Sequence, residues 1–117
     1  MELPERFGWC TQYFDLPGLR MHATVAGPEE RPLLILLHGF PEFWYSWRHQ
    51  IEPLAQAGFD VVAPDQRGYN LTAKTPPFDI HTLVSDITAL MDACGAASAY
   101  VAGHDWGAAV AWGLATL

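Results

Sequence analysis

Gly103-His104-Asp105-Trp106-Gly107 is the stretch whose reading decides the fold of this chain. It stands between a short apolar run, Ala99 to Ala102, that reads as a strand, and a run of small residues opening at Ala108 that reads as a helix. A strand that turns straight into a helix needs glycine where the two backbones pass, and glycines lie two before and two after the central residue. This is the pattern of a nucleophile elbow. The central residue is forced into a strained conformation, and its side chain stands clear of the backbone at a helix N-terminus, where unpaired N–H groups and the helix dipole favour negative charge. Here that residue is Asp105. A carboxylate is ionised at neutral pH and needs no base to become a nucleophile, so in this position it points to an alkyl ester formed at saturated carbon. The competing reading is a Gly-rich turn of another parallel-sheet protein, with Asp105 merely capping the helix, and only the context separates the two.

The context lies upstream. Pro32 to Leu37 reads as a buried strand that runs into His38-Gly39-Phe40-Pro41, the place for a loop supplying one oxyanion-hole N–H. Gly39 lets the loop turn, while Pro41 fixes its own φ and biases Phe40 toward extended backbone, so that the Phe40 N–H is aimed and held. The second donor would be the N–H of Trp106. Pro64-Asp65-Gln66-Arg67-Gly68-Tyr69 follows a third strand. On these three motifs, in this order, the chain resembles the α/β-hydrolase superfamily, and within it the epoxide hydrolase and haloalkane dehalogenase branch, from about Tyr13 to Leu117.

The resemblance implies the N-terminal part of an α/β-hydrolase fold: a mostly parallel sheet with an antiparallel edge hairpin and helices on both faces. Such a core takes roughly 200 to 300 residues, so the 117 residues here are expected to be its N-terminal portion, without the lid and the C-terminal half. The final run, Ala108 to Leu117, has neither a capping glycine nor a polar last turn, which fits the same expectation.

Local patterns place the remaining elements. Two extended runs between Gln12 and Ala26 flank Pro17-Gly18 and predict the hairpin, preceded by a loosely tied lead-in over residues 1 to 11. Leu33 to Leu37 and Phe59 to Ala63 are continuous apolar runs of the kind found in strands covered on both faces. Between them Trp44, Trp47, Ile51 and Leu54 recur at helical spacing, with Pro53 expected to split or kink that helix. The clearest helix runs from Asp79 to Cys94, with Asp79 as cap, Gly95 as stop, and Ile80, Leu83, Val84, Ile87, Leu90, Met91 and Cys94 on one face.

The net charge of −7, with only six Lys and Arg, argues against nucleic-acid and anionic-membrane surfaces. No stretch reaches the ~18 apolar residues of a membrane span, and Glu2 and Glu5 do not suit a signal peptide, so a cytoplasmic location is expected. Cys10 and Cys94 are read as thiols rather than a disulfide. No spacing of His, Cys or carboxylates reads as a metal site, and no cofactor is implied.

As a member of the branch it resembles, the chain is expected to use Asp105 as nucleophile, with the backbone N–H groups of Phe40 and Trp106 as the oxyanion hole. His38, Pro41, Glu42, Phe43 and Trp44 are expected around a substrate pocket whose aromatic density suits a small apolar substrate, an epoxide, with water as second reactant. His38 is expected to be structural rather than a base, His104 to point away from the nucleophile, and His22, His49 and His81 to lie on the surface. Arg67 is expected to tie loops together by charge-assisted hydrogen bonds. Tyr13, Tyr45, Tyr69 and Tyr100 fall in core-type segments and are not assigned to catalysis. The base, its acid partner and the two lid tyrosines of the family have no matching segment here. The oligomeric state is not legible.

Two departures sort the reactions. Haloalkane dehalogenases typically have Asn where this chain has Phe40, and fluoroacetate dehalogenases have Arg where it has Trp106. Both favour an epoxide hydrolase opening an epoxide to a vicinal diol. Trp106 is shared by the haloalkane enzymes, so dehalogenation by the same Asp stays the alternative. An inactive fragment, or a non-catalytic binding protein of this fold, is the alternative from another class.

Overall fold

Strands β1 (Trp9–Leu16) and β2 (Leu19–Ala26) form an antiparallel hairpin, paired from Trp9 with Ala26 to Leu16 with Leu19. Gly18, at φ +73°, closes the turn after Pro17. The computed structural model describes residues 9–27, 32–40 and 42–116, so the lead-in expected over residues 1 to 11 is seen only from Trp9, where β1 already begins. Strand β3 (Leu33–Leu37) is the buried apolar run read from the sequence, and β4 (Asp60–Pro64) and β5 (Tyr100–Gly103) each start one residue later than expected. The sheet order is β1-β2-β4-β3-β5, with β4, β3 and β5 parallel and β2 antiparallel to β4.

A four-residue 3₁₀ turn, Trp44–Trp47, leads into helix α1 (Arg48–Gln56) between β3 and β4. Pro53 lies inside α1 and does not split it. It sits on the exposed side of the helix, so the His49 carbonyl that loses its partner lies where water can reach. Helix α2 (Ile80–Ala93) begins as the sequence predicts: Asp79 is its N-cap and its carboxylate accepts the Thr82 N–H at 2.9 Å. Gly95, at φ +70°, follows its end. Helix α3 (Trp106–Thr116) opens two residues before the small-residue run, at the elbow itself. Among the described residues no helix is long and apolar enough to cross a membrane.

Alternation along β3 divides the core in two. Leu33, Ile35 and Leu37 pack on one face with Leu83, Ile87 and Leu90 of α2 and Val110 of α3. Leu34 and Leu36 pack on the other face with Trp44, Ile51 and Val61. The chain leaves β3 toward β4 on one side and returns to β5 on the other. That makes the C-terminal end of β3 a topological switch point, where an open α/β sheet has its natural crevice.

Candidate active site

Two loops meet at the switch point, and their meeting depends on missing Cβ atoms. A Cβ on Gly107 would lie 2.2 Å from the Leu37 carbonyl oxygen, and one on Gly103 would lie 2.3 Å from that of Gly107. The first turn of α3 therefore sits directly on the end of β3 only because both positions are glycine. The His104 N–H donates to the Leu37 carbonyl at 3.1 Å, fastening the elbow to the neighbouring strand. Asp105, between the glycines, adopts φ +58° and is exposed. A non-glycine residue there is uncommon and strained, as an elbow requires.

The carboxylate faces the loop after β3. The Phe40 N–H donates to Asp105 Oδ2 at 3.2 Å. The Trp106 and Phe40 N–H groups together hold the Asp105 carboxyl below the ordinary carboxylate range, with His104 adding a smaller effect of the same sign. Oδ2 is thus held by the Phe40 N–H, a bond that Oδ1 does not share. Chemically, an ionised carboxylate held in this way can attack carbon through one oxygen while the other faces a backbone N–H.

The loop is pinned from below by His38, which is buried. The Gln66 N–H donates to His38 Nε2 at 2.9 Å, so that nitrogen carries no proton, and Nδ1–H donates to the Gly39 carbonyl at 2.9 Å. The Gln66 side-chain amide returns a bond to the His38 carbonyl at 2.8 Å. Burial lowers the His38 pKa, against the raising effects of its Gly39 bond, Asp65 and Glu42, and keeps the ring neutral.

Several expected pocket residues are placed differently. His38 was expected at the pocket wall, yet both ring nitrogens are engaged beneath the loop. Trp44 was expected there too, but it is fully buried under the other face of the sheet, its backbone N–H donating to Asp65 Oδ1 at 2.8 Å. Phe43 is half-buried and stacks on Tyr45, ring centroids 5.9 Å apart. Glu42 is the one that stays beside the elbow: its Oε1 lies 3.6 Å from His104 Nδ1, and both border a hollow of about 240 Å³ with Ser46, Trp47 and Gln50. The Phe40 and Trp106 side chains are exposed around Asp105. Pro41 lies outside the described residues.

His22 was expected on the surface, and the structure corrects this. It is buried, with its N–H on Thr72 Oγ1 at 2.9 Å and Nδ1 2.7 Å from Asp65 Oδ2. The strand face that carries it is covered by the loop after β4. His49 and His81 are exposed as expected. Tyr13, Tyr45 and Tyr100 are exposed rather than in the core. Arg67 is structural as expected, though its main tie is to a helix: a two-pronged pair at 2.8 and 2.7 Å joins it to Asp86 of α2, and a third bond at 2.8 Å joins it to the Thr75 carbonyl of the following loop.

Tyr69 is a site neighbour that sequence reasoning missed. It is half-buried, its ring edge-on to His38 at 4.8 Å and to Phe40 at 6.5 Å. Burial, and secondarily the charge of Asp105, push its hydroxyl pKa up. The usable signal was its place after β4, because loops at the C-terminal ends of neighbouring parallel strands converge. A second hollow, of about 310 Å³, lies at the opposite end of the sheet among Cys10, Phe14, Val25, Asp60 and Cys94 and shares no residue with the elbow. Among the described residues no group of three or more His, Cys, Asp or Glu is gathered to hold a metal ion.

Comparison with known proteins agrees with this fold. The family model described as alpha/beta hydrolase fold matches residues 32–117. An AB hydrolase superfamily protein of Bacillus subtilis is 52% identical over 108 residues, covering 90% of this chain and 38% of that protein. Epoxide hydrolase B of Mycobacterium tuberculosis is 52% identical over 105 residues, covering 86% of this chain and 30% of that protein. The crystal structure of epoxide hydrolase A from Mycobacterium thermoresistibile superposes with a TM-score of 0.87 at 44% identity, covering 92% of this chain and 34% of that one. The chain spans about a third of the length of these relatives.

Proposed function

This chain belongs to the alpha/beta hydrolase fold family, and on that footing we propose that it carries the nucleophile and oxyanion hole of an epoxide hydrolase, with residues 1–117 as the N-terminal portion of the hydrolase core. The observation that carries the reading is the Phe40 N–H on Asp105 Oδ2 at 3.2 Å, with Asp105 held at φ +58°. The epoxide hydrolases among its relatives supply the reaction class.

In the proposed reaction Asp105 Oδ1 attacks an epoxide carbon from the side opposite its C–O bond. That bond breaks, and the released oxygen takes a proton from an acid outside the described residues. Water gives a proton to a base outside the described residues as it adds to the ester carbon, the negative charge gathers on Oδ2 against the Phe40 and Trp106 N–H groups, and the bond from the ester carbon to Oδ1 breaks, Oδ1 taking up that proton and leaving in the vicinal diol. Each such donor is worth about 3 kcal/mol in hydrolases. The water needs a base, and among the described residues no histidine is hydrogen-bonded to Asp105: His22 and His38 are committed elsewhere, and His104 faces Glu42. The reaction is therefore assigned to a protein that also carries the segments present in the longer relatives. A cytoplasmic setting and a small apolar epoxide belong to the same proposal. The exposed apolar side chain of Phe40 offers no N–H to a departing halide, which sets dehalogenation second.

The test is single-turnover hydrolysis of styrene oxide in ¹⁸O-labelled water by the complete enzyme. Label is expected first in the Asp105 carboxylate, and Asp105→Asn is expected to lower turnover by on the order of 10⁴. Label entering the diol alone, with none in the protein, refutes the ester mechanism.

A further inference from the structure

We propose that His38 is the positioning residue of the oxyanion hole, gripping the Gly39–Phe40 peptide by its carbonyl so that the N–H of the same peptide is aimed at Asp105 Oδ2. This rests on the epoxide hydrolase reading and deepens it. A peptide group is planar, so fixing the direction of its C=O fixes the direction of its N–H. The Gly39 carbonyl accepts His38 Nδ1–H at 2.9 Å and the Glu42 N–H at 2.9 Å, and the N–H at the other end of that plane reaches Oδ2 at 3.2 Å. Glu42 belongs to the same turn and moves with it. His38 does not: its Nε2 is anchored to the Gln66 N–H in the loop after β4, so the grip is referred to a different strand.

The grip needs one tautomer. Gln66 N–H is only a donor and the Gly39 oxygen only an acceptor, so the ring must be neutral with its proton on Nδ1. The groups facing the ring are Asp65 and Glu42, whose charges favour protonation, and the Tyr69 ring edge at 4.8 Å. Burial opposes them and prevails.

Two substitutions separate the two ends of the ring. His38→Asn keeps an N–H near the Nδ1 position and loses the acceptor for Gln66. His38→Gln places an amide oxygen near Nε2 and loses the grip on Gly39. The oxyanion forms only when the ester is hydrolysed, so the second step is the one that responds. In the complete enzyme, mixed with styrene oxide and followed by intact-protein mass, His38→Gln is expected to form the Asp105 ester at close to the wild-type rate. It is expected to hydrolyse that ester about tenfold to a hundredfold more slowly, so that the adduct accumulates. His38→Asn, which keeps an N–H toward Gly39 but loses the anchor on Gln66, is expected to slow ester hydrolysis less than His38→Gln does while melting at lower temperature. Adduct formation with wild-type hydrolysis by His38→Gln overturns the inference alone, as does a loss of hydrolysis that merely follows stability in both variants. Wild-type enzyme that never forms an adduct overturns the epoxide hydrolase reading and this inference with it. If neither variant folds, the ring ¹⁵N shifts of wild-type His38 decide: a protonated Nδ1 with bare Nε2 supports the grip, and the opposite tautomer or a charged ring refutes it.

Discussion

Gly39→Ala probes the contact between the oxyanion loop and the nucleophile with a single methyl group. The Gly39 backbone does not lie in the left-handed region, so alanine brings no conformational strain of its own and the effect is steric. The added Cβ would stand 2.6 Å from Asp105 Cβ, about 0.8 Å inside the 3.4 Å where ordinary contact begins. It would also stand 3.0 Å from Asp105 Oδ2 and 3.0 Å from the His104 carbonyl. The elbow cannot recede, because His104 N–H is bonded to Leu37 and Gly107 packs on the Leu37 carbonyl. The loop gives instead, and moving it by that overlap takes the Phe40 N–H from 3.2 Å to about 4 Å from Oδ2, beyond hydrogen-bond range. Losing one oxyanion donor costs about 10²-fold to 10³-fold in rate, or roughly 3–4 kcal/mol. The loss of folding stability should be smaller, about 1–3 kcal/mol, as for other overpacked sites. The assay is ester hydrolysis in a single turnover beside urea unfolding of the same protein. A Gly39→Ala enzyme with wild-type hydrolysis would falsify the assignment of the Phe40 N–H to the oxyanion hole.

Three further outcomes are expected. Phe40→Asn should introduce a side-chain N–H at the mouth of the site, and iodide binding, read by quenching of tryptophan fluorescence, should tighten; strong iodide binding by the wild type would favour dehalogenation. Asp86→Ala should strip the buried Arg67 of its two-pronged partner and destabilise the fold by about 3–5 kcal/mol in urea unfolding, whereas Arg67→Met with Asp86→Leu should restore most of it; a single-mutant loss below about 1 kcal/mol contradicts the buried pair. The depressed pKa of Asp105 means that its carboxylate stays charged below the ordinary value of 3.8, so under the proposed mechanism the acid limb of ester formation should lie below that pH in the single-turnover profile. His38 behaves in the same sense for stability. Its folded pKa lies below the ordinary 6.5, so the unfolded chain takes up a proton first as pH falls. Its contribution is complete above 6.5 and is lost as pH falls from there through the folded value, which melting curves of wild type and His38→Gln against pH will show.

What was legible in the sequence was what local spacing controls. The elbow was readable because strained turns need glycine at fixed offsets, and β3 and α2 because burial on two faces and on one face write different periods. The hairpin followed from Pro17-Gly18. Residues whose surroundings come from distant segments were not legible. His22 alternates with Arg20 and Thr24 on a strand face that reads as solvent-facing, and only the fold brings the loop 65–72 over it. Trp44 follows the oxyanion loop by four residues and reads as pocket wall, but the 3₁₀ turn swings it under the sheet. Asp86 interrupts an apolar helix face, and its buried partner lies 19 residues away. Tyr69 becomes a neighbour of the nucleophile only because three loops end at the same edge of the sheet.

The placement of Asp105 joins the stability of the fold to the reactivity of the site. A non-glycine residue at φ +58° costs about 1–2 kcal/mol relative to an ordinary conformation. That cost is met by the first turn of α3, where Gly107 N–H donates to the His104 carbonyl at 2.9 Å and Ala108 N–H to the Asp105 carbonyl at 3.0 Å, and by the seat of Gly107 on β3. A serine at the same point would stand equally clear of the backbone, yet it would remain a poor nucleophile until a base took its proton. With a carboxylate, the Trp106 and Phe40 N–H groups hold the charged form in place before any substrate arrives. The base is then needed only for the water of the second step. On this argument ester formation depends on the charged carboxylate that the elbow carries, whereas hydrolysis of the ester depends in addition on the Phe40 and Trp106 N–H groups and on whatever activates water. Substitution of Asp105 should therefore stop the first step in single-turnover kinetics, and substitutions that displace the Phe40 N–H should slow the second.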